Sequence, residues 1–426
     1  MGLKVYGFPT QNNGCGHYRV WMPLAAVAEA GLAEVDRDPD DPQSISVDRA
    51  AAIFDWADVV YTQPFSQLWA ACIFAAARDE KGKKMVVDLD DNVWAVHPLN
   101  VGPVGGQLTA LKSHFTGQFA DFWELQPIKK AQIPKFRDRI DGTLVQNEKS
   151  ELFFLKNTAC DVKLAVEFML KAADAVTTTN ETLAAVIRQH TTKPVYVIPN
   201  CLDPRQWKKA EKAVGKWLGW AGSVSHYPDL QRLLRPLDRL MRKYSDLNVQ
   251  IMGSSFDYLF PLKPGAHKLP VAGYGPEDGM FYADLVHCGE RWPGRMRFDK
   301  PVPIQGYHDW ITTNWQAHIG IAPIEANDFN DAKSELKWLE YTALGVPTVA
   351  SDFGPYRRAI RDMETGLLGR CDWESPLAHL IDNPSFAQRL VDNATDELHE
   401  KFDIRKRAKD WMNVFEEVAA AVLAAT

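Results

Sequence analysis

The segment FNDAKSELKWLEYTALGVPTVASDFGPYRRAI, residues 329–360, holds the densest set of groups suited to chemistry. A loop of small and basic residues runs into a predicted helix over 333–344, and the N–H groups that open a helix lack partners inside it and attract anions. Lys333 and Ser334 stand at that start. Backbone N–H groups, a hydroxyl and an ammonium together suit a pyrophosphate, and Lys337 adds a second cation one turn on. Glu340, about two turns along, is placed to accept hydrogen bonds from ribose hydroxyls.

Three other clusters deserve the same question. In WAGSVSHYPDL, residues 220–230, a strand ends at Gly222 and Ser223 before a helix, so N–H groups point outward at a sheet's carboxyl end, where open α/β sheets bind ligands. The side chains offered there are His226 and, farther on, Arg232; His226 reads equally as a helix-capping or surface histidine. In GCGHYRVWMP, residues 14–23, a glycine loop containing Gly16 follows the first strand, and His17 and Arg19 can balance phosphate or acceptor charge. A lone G-x-G is also explained by a tight turn with no ligand. In VVDLDDNVW, residues 86–94, Asp88, Asp90 and Asp91 crowd a strand's end just before Trp94. Crowded carboxylates raise one another's pKa and share protons, hold a cation or bind a hydroxyl-bearing substrate. Trp94, Trp123, Trp220, Trp292 and Trp338 suit stacking on sugars or bases, although helix-spaced tryptophans such as Trp338 serve more often as core.

The elements that position these residues follow from periodicity. LKVYGF (3–8), a helix over 20–30, DVVYTQ (58–63), a helix over 66–78 and KKMVVDLDD (83–91) alternate as in a parallel sheet with crossover helices. The rhythm breaks over 92–160 and resumes with a helix over 162–173, DAVTTT (174–179), a helix over 180–190 and PVYVIPN (194–200). A second alternation opens at KWLGWAG (216–222) and runs through NVQIMG (248–253), MRFDKPVPI (296–304), AHIGIAPI (317–324) and PTVASD (347–352). These patterns predict an α/β chain of two Rossmann-like domains: 1–205, with an insertion at about 92–160, and 206–404. From Ser375 the sequence reads as helices only, the last (405–426) amphipathic and expected to return to the first domain.

The chain of 426 residues, 46% hydrophobic, can fill more than one core. Its 48 basic and 55 acidic residues, net −7, give no global basic field for nucleic acid or an anionic membrane. No apolar run reaches the length of a bilayer span, and MGLKVYGFP reads as a strand rather than a signal peptide, so a cytoplasmic protein is expected. Cysteines 15, 72, 160, 201, 288 and 371 form no C-x-x-C pair, which argues against a zinc site or a disulfide framework.

Glu340, Ala343, Gly345, Pro347, Val349, Ala350 and Ser351 resemble the donor-binding element of family 4 retaining glycosyltransferases. KAADAVTTTNETLAAVI (171–187), VYVIPNCLDPRQW (195–207) and WLGWAGSVSHYPDLQRLL (217–234) extend the resemblance in the family's order. It implies a GT-B fold whose two domains face a cleft, a nucleoside-diphosphate sugar as co-substrate, no required cofactor or metal, and transfer with retention. It implies donor contacts at Gly16, Gly222, Ser223, His226, Lys333, Ser334, Lys337 and Glu340, and an acceptor side at His17, Arg19, Asp88 and Trp94. Asp90, Asp91 and Lys333 are the expected catalytic groups. The family places another Glu eight residues before Glu340, where this chain has Ala332, so Lys333 or Asp331 stands in for it.

The G-x-G-H-Y-R, D-L-D-D-N-V-W and N-x-x-K-S-x-x-K-x-x-E patterns resemble glycosyltransferases frequently encoded by phages. That resemblance implies a protein, a surface glycan or a hydroxymethylated pyrimidine in phage DNA as acceptor. RWPGRMRFDK (291–300) interleaves cations with aromatics, as a nucleic-acid contact would, and reads equally as a solvated loop. Two other classes remain open: a haloacid-dehalogenase-type phosphatase with Asp88 as nucleophile and Asp90 beside a magnesium ion, and a nucleotide-sugar-binding protein or epimerase.

Overall fold

The computed structural model describes residues 2–10, 13–37, 45–95, 159–222, 226–253, 292 and 294–420, and the backbone of three short strands at 126–127, 142–146 and 152–156. The first domain runs β1 (Lys4–Phe8), α1 (Met22–Glu29), β2 (Glu34–Arg37), α2 (Val47–Trp56), β3 (Val59–Thr62), α3 (Leu68–Lys81) and β4 (Lys84–Leu89). The short strands β5 (Gln126–Pro127), β6 (Gly142–Gln146) and β7 (Leu152–Lys156) form an antiparallel sheet of their own. The rest of the expected insertion at 92–160 lies outside the described residues past Ala95. Then come α4 (Ala159–Ala172), β8 (Ala175–Thr178), α5 (Glu181–Ile187) and β9 (Val195–Val197).

The second domain runs β10 (Lys216–Ala221), α6 (Tyr227–Lys243), β11 (Leu247–Met252), β12 (Met296–Asp299), α7 (Tyr307–Asn314), β13 (Ile319–Ala322) and α8 (Asp328–Asp331). It continues with α9 (Leu336–Ala343), β14 (Thr348–Ser351), α10 (Gly354–Ala359) and β15 (Leu367–Gly369), followed by α11 (Glu374–Asp382), α12 (Pro384–Lys401) and α13 (Ile404–Ala420).

Each domain carries a six-stranded, all-parallel sheet, ordered β2-β1-β3-β4-β8-β9 and β12-β11-β10-β13-β14-β15. Central strands such as β3 (VVYT) and β13 (IGIA) are buried at every position, the pattern of a sheet covered by helices on both faces. The direction of winding reverses between β1 and β3 in one sheet and between β10 and β13 in the other. Loops leaving the carboxyl ends of those strands therefore splay apart and leave a crevice.

Helix α13 packs against the first sheet. Trp411 is fully buried and its Nε1 donates to Tyr61 Oη at 3.0 Å, with Phe415 edge-on to the Tyr61 ring. The helix is pinned where the chain crosses between domains, Leu202 N–H donating to Phe402 O and Ile404 N–H to Leu202 O.

The predicted helix over 333–344 starts later, at Leu336, with a separate short helix, α8, ending before Lys333, which is a correction. Asn327 caps α8 through Asn330 N–H, Lys333 N–H turns back to Asn330 O, and α9 begins after Glu335, which makes no capping hydrogen bond. The reason lies in the other domain: Asn180 Nδ2 donates to Ala332 O at 2.8 Å and Lys333 O at 3.2 Å, tying carbonyls that a helix starting at Lys333 would need. Lys333 and Ser334 thus sit in the loop before the helix.

Candidate functional site

On the second-domain side, β10 ends at Gly222, and a Cβ there would lie 2.6 Å from the Trp220 ring and 2.9 Å from Lys337 Nζ. Only glycine lets Lys337, rising from the first turn of α9, come this close to the strand end. Its ammonium stands 5.5 Å from the Trp220 ring centroid and has no hydrogen-bond or ion-pair partner among the described residues. Burial, opposed by Glu340 and reinforced by Lys333, brings its pKa down to about 8. Ser223 lies outside the described residues.

His226 Nδ1 meets Asp229 Oδ2 at 2.7 Å, while Asp229 Oδ1 accepts from Glu325 N–H at 2.7 Å and Asn330 Nδ2 at 3.0 Å. Burial first, then Lys337, lowers the His226 pKa to about 4, so the ring is neutral near pH 7 and brings no positive charge. Asp229 gathers the β10 and β13 loops around the crevice.

Lys333 Nζ is 3.4 Å from Asp91 Oδ1 of the first domain and 4.4 Å from the Phe329 ring centroid. Burial disfavours its charge, but Asp91 and Asp229 more than offset this and its pKa is raised. Ser334 Oγ accepts from Asn200 Nδ2 at 2.8 Å. Glu340, 5% exposed, accepts from Tyr18 Oη at 2.6 Å and Tyr307 Oη at 3.2 Å, and burial raises its pKa.

On the first-domain side, Asn13 Oδ1 accepts from Cys15 N–H at 3.0 Å and Gly16 N–H at 3.3 Å, so the glycine loop's own side chain takes the donors expected for a phosphate. One π-helical turn, His17–Trp21, follows. Its wide turn buries both Tyr18 and Arg19, directing the first at Glu340 and the second at Asp88.

Arg19 and Asp88 are corrections. Both side chains are fully buried, Nε and Nη2 of Arg19 holding the carboxylate at 2.7–3.2 Å. Asp88 also accepts from Tyr61 Oη at 2.9 Å and Thr177 Oγ1 at 2.6 Å. A carboxylate enclosed this way cannot reach an acceptor or serve as a phosphatase nucleophile. Arg19 instead reaches the site indirectly: Nη1 donates to Ile198 O at 2.8 Å and Asn200 Oδ1 at 3.2 Å, and Asn200 holds Ser334.

Asp90 and Asp91 do face the crevice. Cys15 Sγ and one oxygen from each lie within 4.8 Å of one another. Burial, then Asp91 and Asp88, push the Asp90 carboxyl up to about 7, so it is part-protonated near neutrality. Cys15 stays a thiol, its pKa raised well above the usual value by burial and by the two carboxylates. Trp94 is turned elsewhere: it stacks on His190 at 3.9 Å and donates through Nε1 to Glu167 at 3.0 Å. The His17 ring packs on His308 of the second domain at 4.9 Å.

Among the other tryptophans, Trp220 and Trp338 are core, and Trp123 lies outside the described residues. In the basic segment, Arg291 lies outside them as well. Arg295 donates to the Leu247, Met241 and Tyr244 carbonyls, and Arg297 pairs with Asp299.

Sequence reading passed over Tyr18, Asn200, Glu335 and Tyr307. Glu335 is a buried carboxyl in the Lys333 loop, pushed up to about 7 by burial. The Pro-Asn step after β9 marks Asn200 as a turn residue, but nothing in it announces a partner in the other domain.

No protein-family model matches the sequence, and no curated protein is found to match it. Solved structures do match along the whole length. Sucrose-phosphate synthase from Thermosynechococcus elongatus superposes with a TM-score of 0.58 at 14% identity, covering 99% of this chain and 100% of that one. Anabaena HepE in complex with UDP and glucose gives 0.57 at 12%, covering 98% and 99%. A glycosyltransferase from Rickettsia africae gives 0.56 at 10%, covering 98% of each. Two parallel six-stranded sheets facing a crevice, with the last helix packed on the first, are the GT-B fold that these glycosyltransferases share.

Proposed function

We propose that this chain is a retaining glycosyltransferase that moves a sugar from a nucleoside-diphosphate sugar to an acceptor hydroxyl. The observation that carries the reading is Lys337: a partly buried ammonium without a hydrogen-bonded or ion-paired anion among the described residues, beside Gly222 at the reversal of the second sheet, with Lys333 in the adjoining loop. A diphosphate supplies the missing charge. Glu340 would take the ribose hydroxyls and Ser334, held by Asn200, a phosphate oxygen.

Departure of the diphosphate develops negative charge, which Lys333 and Lys337 stabilise in a water-poor site. The acceptor hydroxyl attacks from the face the leaving group vacates. Asp90 and Asp91, across the crevice from Lys333, are placed to hold that hydroxyl, and Asp90 titrates where it can accept the proton. The UDP complexes of Anabaena HepE make UDP-sugars the first donors to test.

For the acceptor, we place a hydroxymethylated pyrimidine in phage DNA first, with protein and glycan hydroxyls as the alternatives. The basic segment adds little to the DNA reading, because Arg295 and Arg297 are engaged within the fold. The test is mass spectrometry after incubation with UDP-, GDP- and ADP-sugars and each acceptor class. A sugar-sized mass gain on one class supports the reading. Donor turnover without any glycosylated product favours an epimerase or binding protein instead.

Two further outcomes are expected. Transfer should persist in EDTA, since Lys333 already neutralises Asp91; complete loss restored by magnesium would instead place a cation at Cys15, Asp90 and Asp91. UDP affinity should fall as pH rises through about 8, because Lys337 is charged below its pKa and neutral above it. Lys337→Arg, which stays charged, should flatten that profile in calorimetric titrations.

A further inference from the structure

Glu340 is the only described carboxylate whose two oxygens are held by phenols from the two different domains. Tyr307 belongs to the same domain and stays with Glu340 whatever the cleft does. Tyr18 comes from the π turn of the first domain, its ring 3% exposed and packed 6.3 Å from His308, with the neighbouring His17 against the same His308. A phenol donating to a carboxylate is a charge-assisted bond, stronger than one between neutral groups. With Glu340 only 5% exposed, a ribose diol cannot reach its oxygens while the Tyr18 bond stands.

We propose that Tyr18 is a cross-domain latch: its hydroxyl occupies the carboxylate that a nucleotide's ribose needs, so the ligand-free protein is held closed and must open before it binds a donor. The proposal rests on the reading of Glu340 as the ribose-binding group. In its terms, the closed, latched form does not bind nucleotide, and the apparent dissociation constant is raised by the fraction of molecules that are latched. Once ribose has replaced the phenol, the cleft recloses on the donor through the remaining contacts, Lys333 to Asp91 and Asn180 to the Ala332 and Lys333 carbonyls.

The experiment compares wild type, Tyr18→Phe and Tyr307→Phe, each checked for a native melting profile, by small-angle scattering without ligand and by calorimetric titration with UDP. Tyr18→Phe keeps the ring and removes only the hydroxyl. It should enlarge the ligand-free radius of gyration and tighten UDP binding about three- to tenfold, whereas Tyr307→Phe, whose partner lies in its own domain, should leave the radius unchanged. An unchanged radius in Tyr18→Phe, or UDP binding that is equal or weaker, overturns the latch. Wild-type protein that binds no nucleotide would overturn the donor reading instead, and the scattering comparison would still decide whether Tyr18 holds the domains together.

Discussion

Lys333→Ala is expected to lower sugar transfer about a hundred- to a thousandfold while leaving the melting profile close to native. Lys333 sits in the loop before α9, outside any packed core, and its carbonyl, not its side chain, carries the bond to Asn180 that shapes the loop. The side chain contributes charge where the diphosphate departs, and Asp91 and Asp229 keep that charge in place against burial. Loss of an interaction that grows in the transition state lowers kcat more than it raises the donor KM. Removing the lysine also leaves the Asp91 charge uncompensated beside Asp90, which raises the proton affinity of Asp90 further and should move the acidic limb of the pH–rate profile upward. Steady-state kinetics with a fixed acceptor checks this; a kcat within a few-fold of wild type would remove Lys333 from the chemistry.

The second large effect concerns stability. Arg19→Met should cost about 3–5 kcal/mol, because it strands the Asp88 carboxylate in the first domain's interior with only two hydroxyls on it. The Trp411 ring, 5.7 Å from the guanidinium, also loses its cation. Replacing both partners by apolar groups costs less than stranding one, so Arg19→Met with Asp88→Leu should recover a large part of the loss. Thermal and denaturant unfolding of the two variants measures the difference. The single variant should also weaken transfer, since Arg19 orients Asn200 and Asn200 holds Ser334. Equal stability of single and double variants would mean that the pair is not the buried unit described here.

Both of these residues show where the sequence was legible and where it was not. Central strands with apolar runs, such as β3, β4 and β13, announce themselves by composition, as does α13 through Trp411, Phe415 and Val418 on one face. Strand β2 (EVDR) escaped because it is a largely exposed edge strand with little apolar content. The helix expected over 333–344 starts only at Leu336, since local propensity cannot register that Asn180, in another domain, takes the carbonyls at 332 and 333.

The site divides in the same way. Lys333, Lys337 and Glu340 are legible because one loop and one helix carry them together. Arg19 and Asp88 look like exposed site residues from their neighbours in sequence, and only the π turn and the pairing of β4 with β8 show that they are buried against each other. Asn200 links groups 181 and 134 residues away, and Tyr18 meets Glu340 across 322, separations at which no spacing rule operates.

A nucleoside diphosphate should bind in the crevice through Lys337, whose ammonium has no ion-pair partner among the described residues. Calorimetric titration of UDP, GDP and ADP into wild type and Lys337→Met tests it most directly. Saturable binding of at least one nucleotide by the wild type is expected, weakened tenfold or more, about 1.4 kcal/mol, in the variant. Absence of binding by the wild type to all three, or equally tight binding by Lys337→Met, would contradict it.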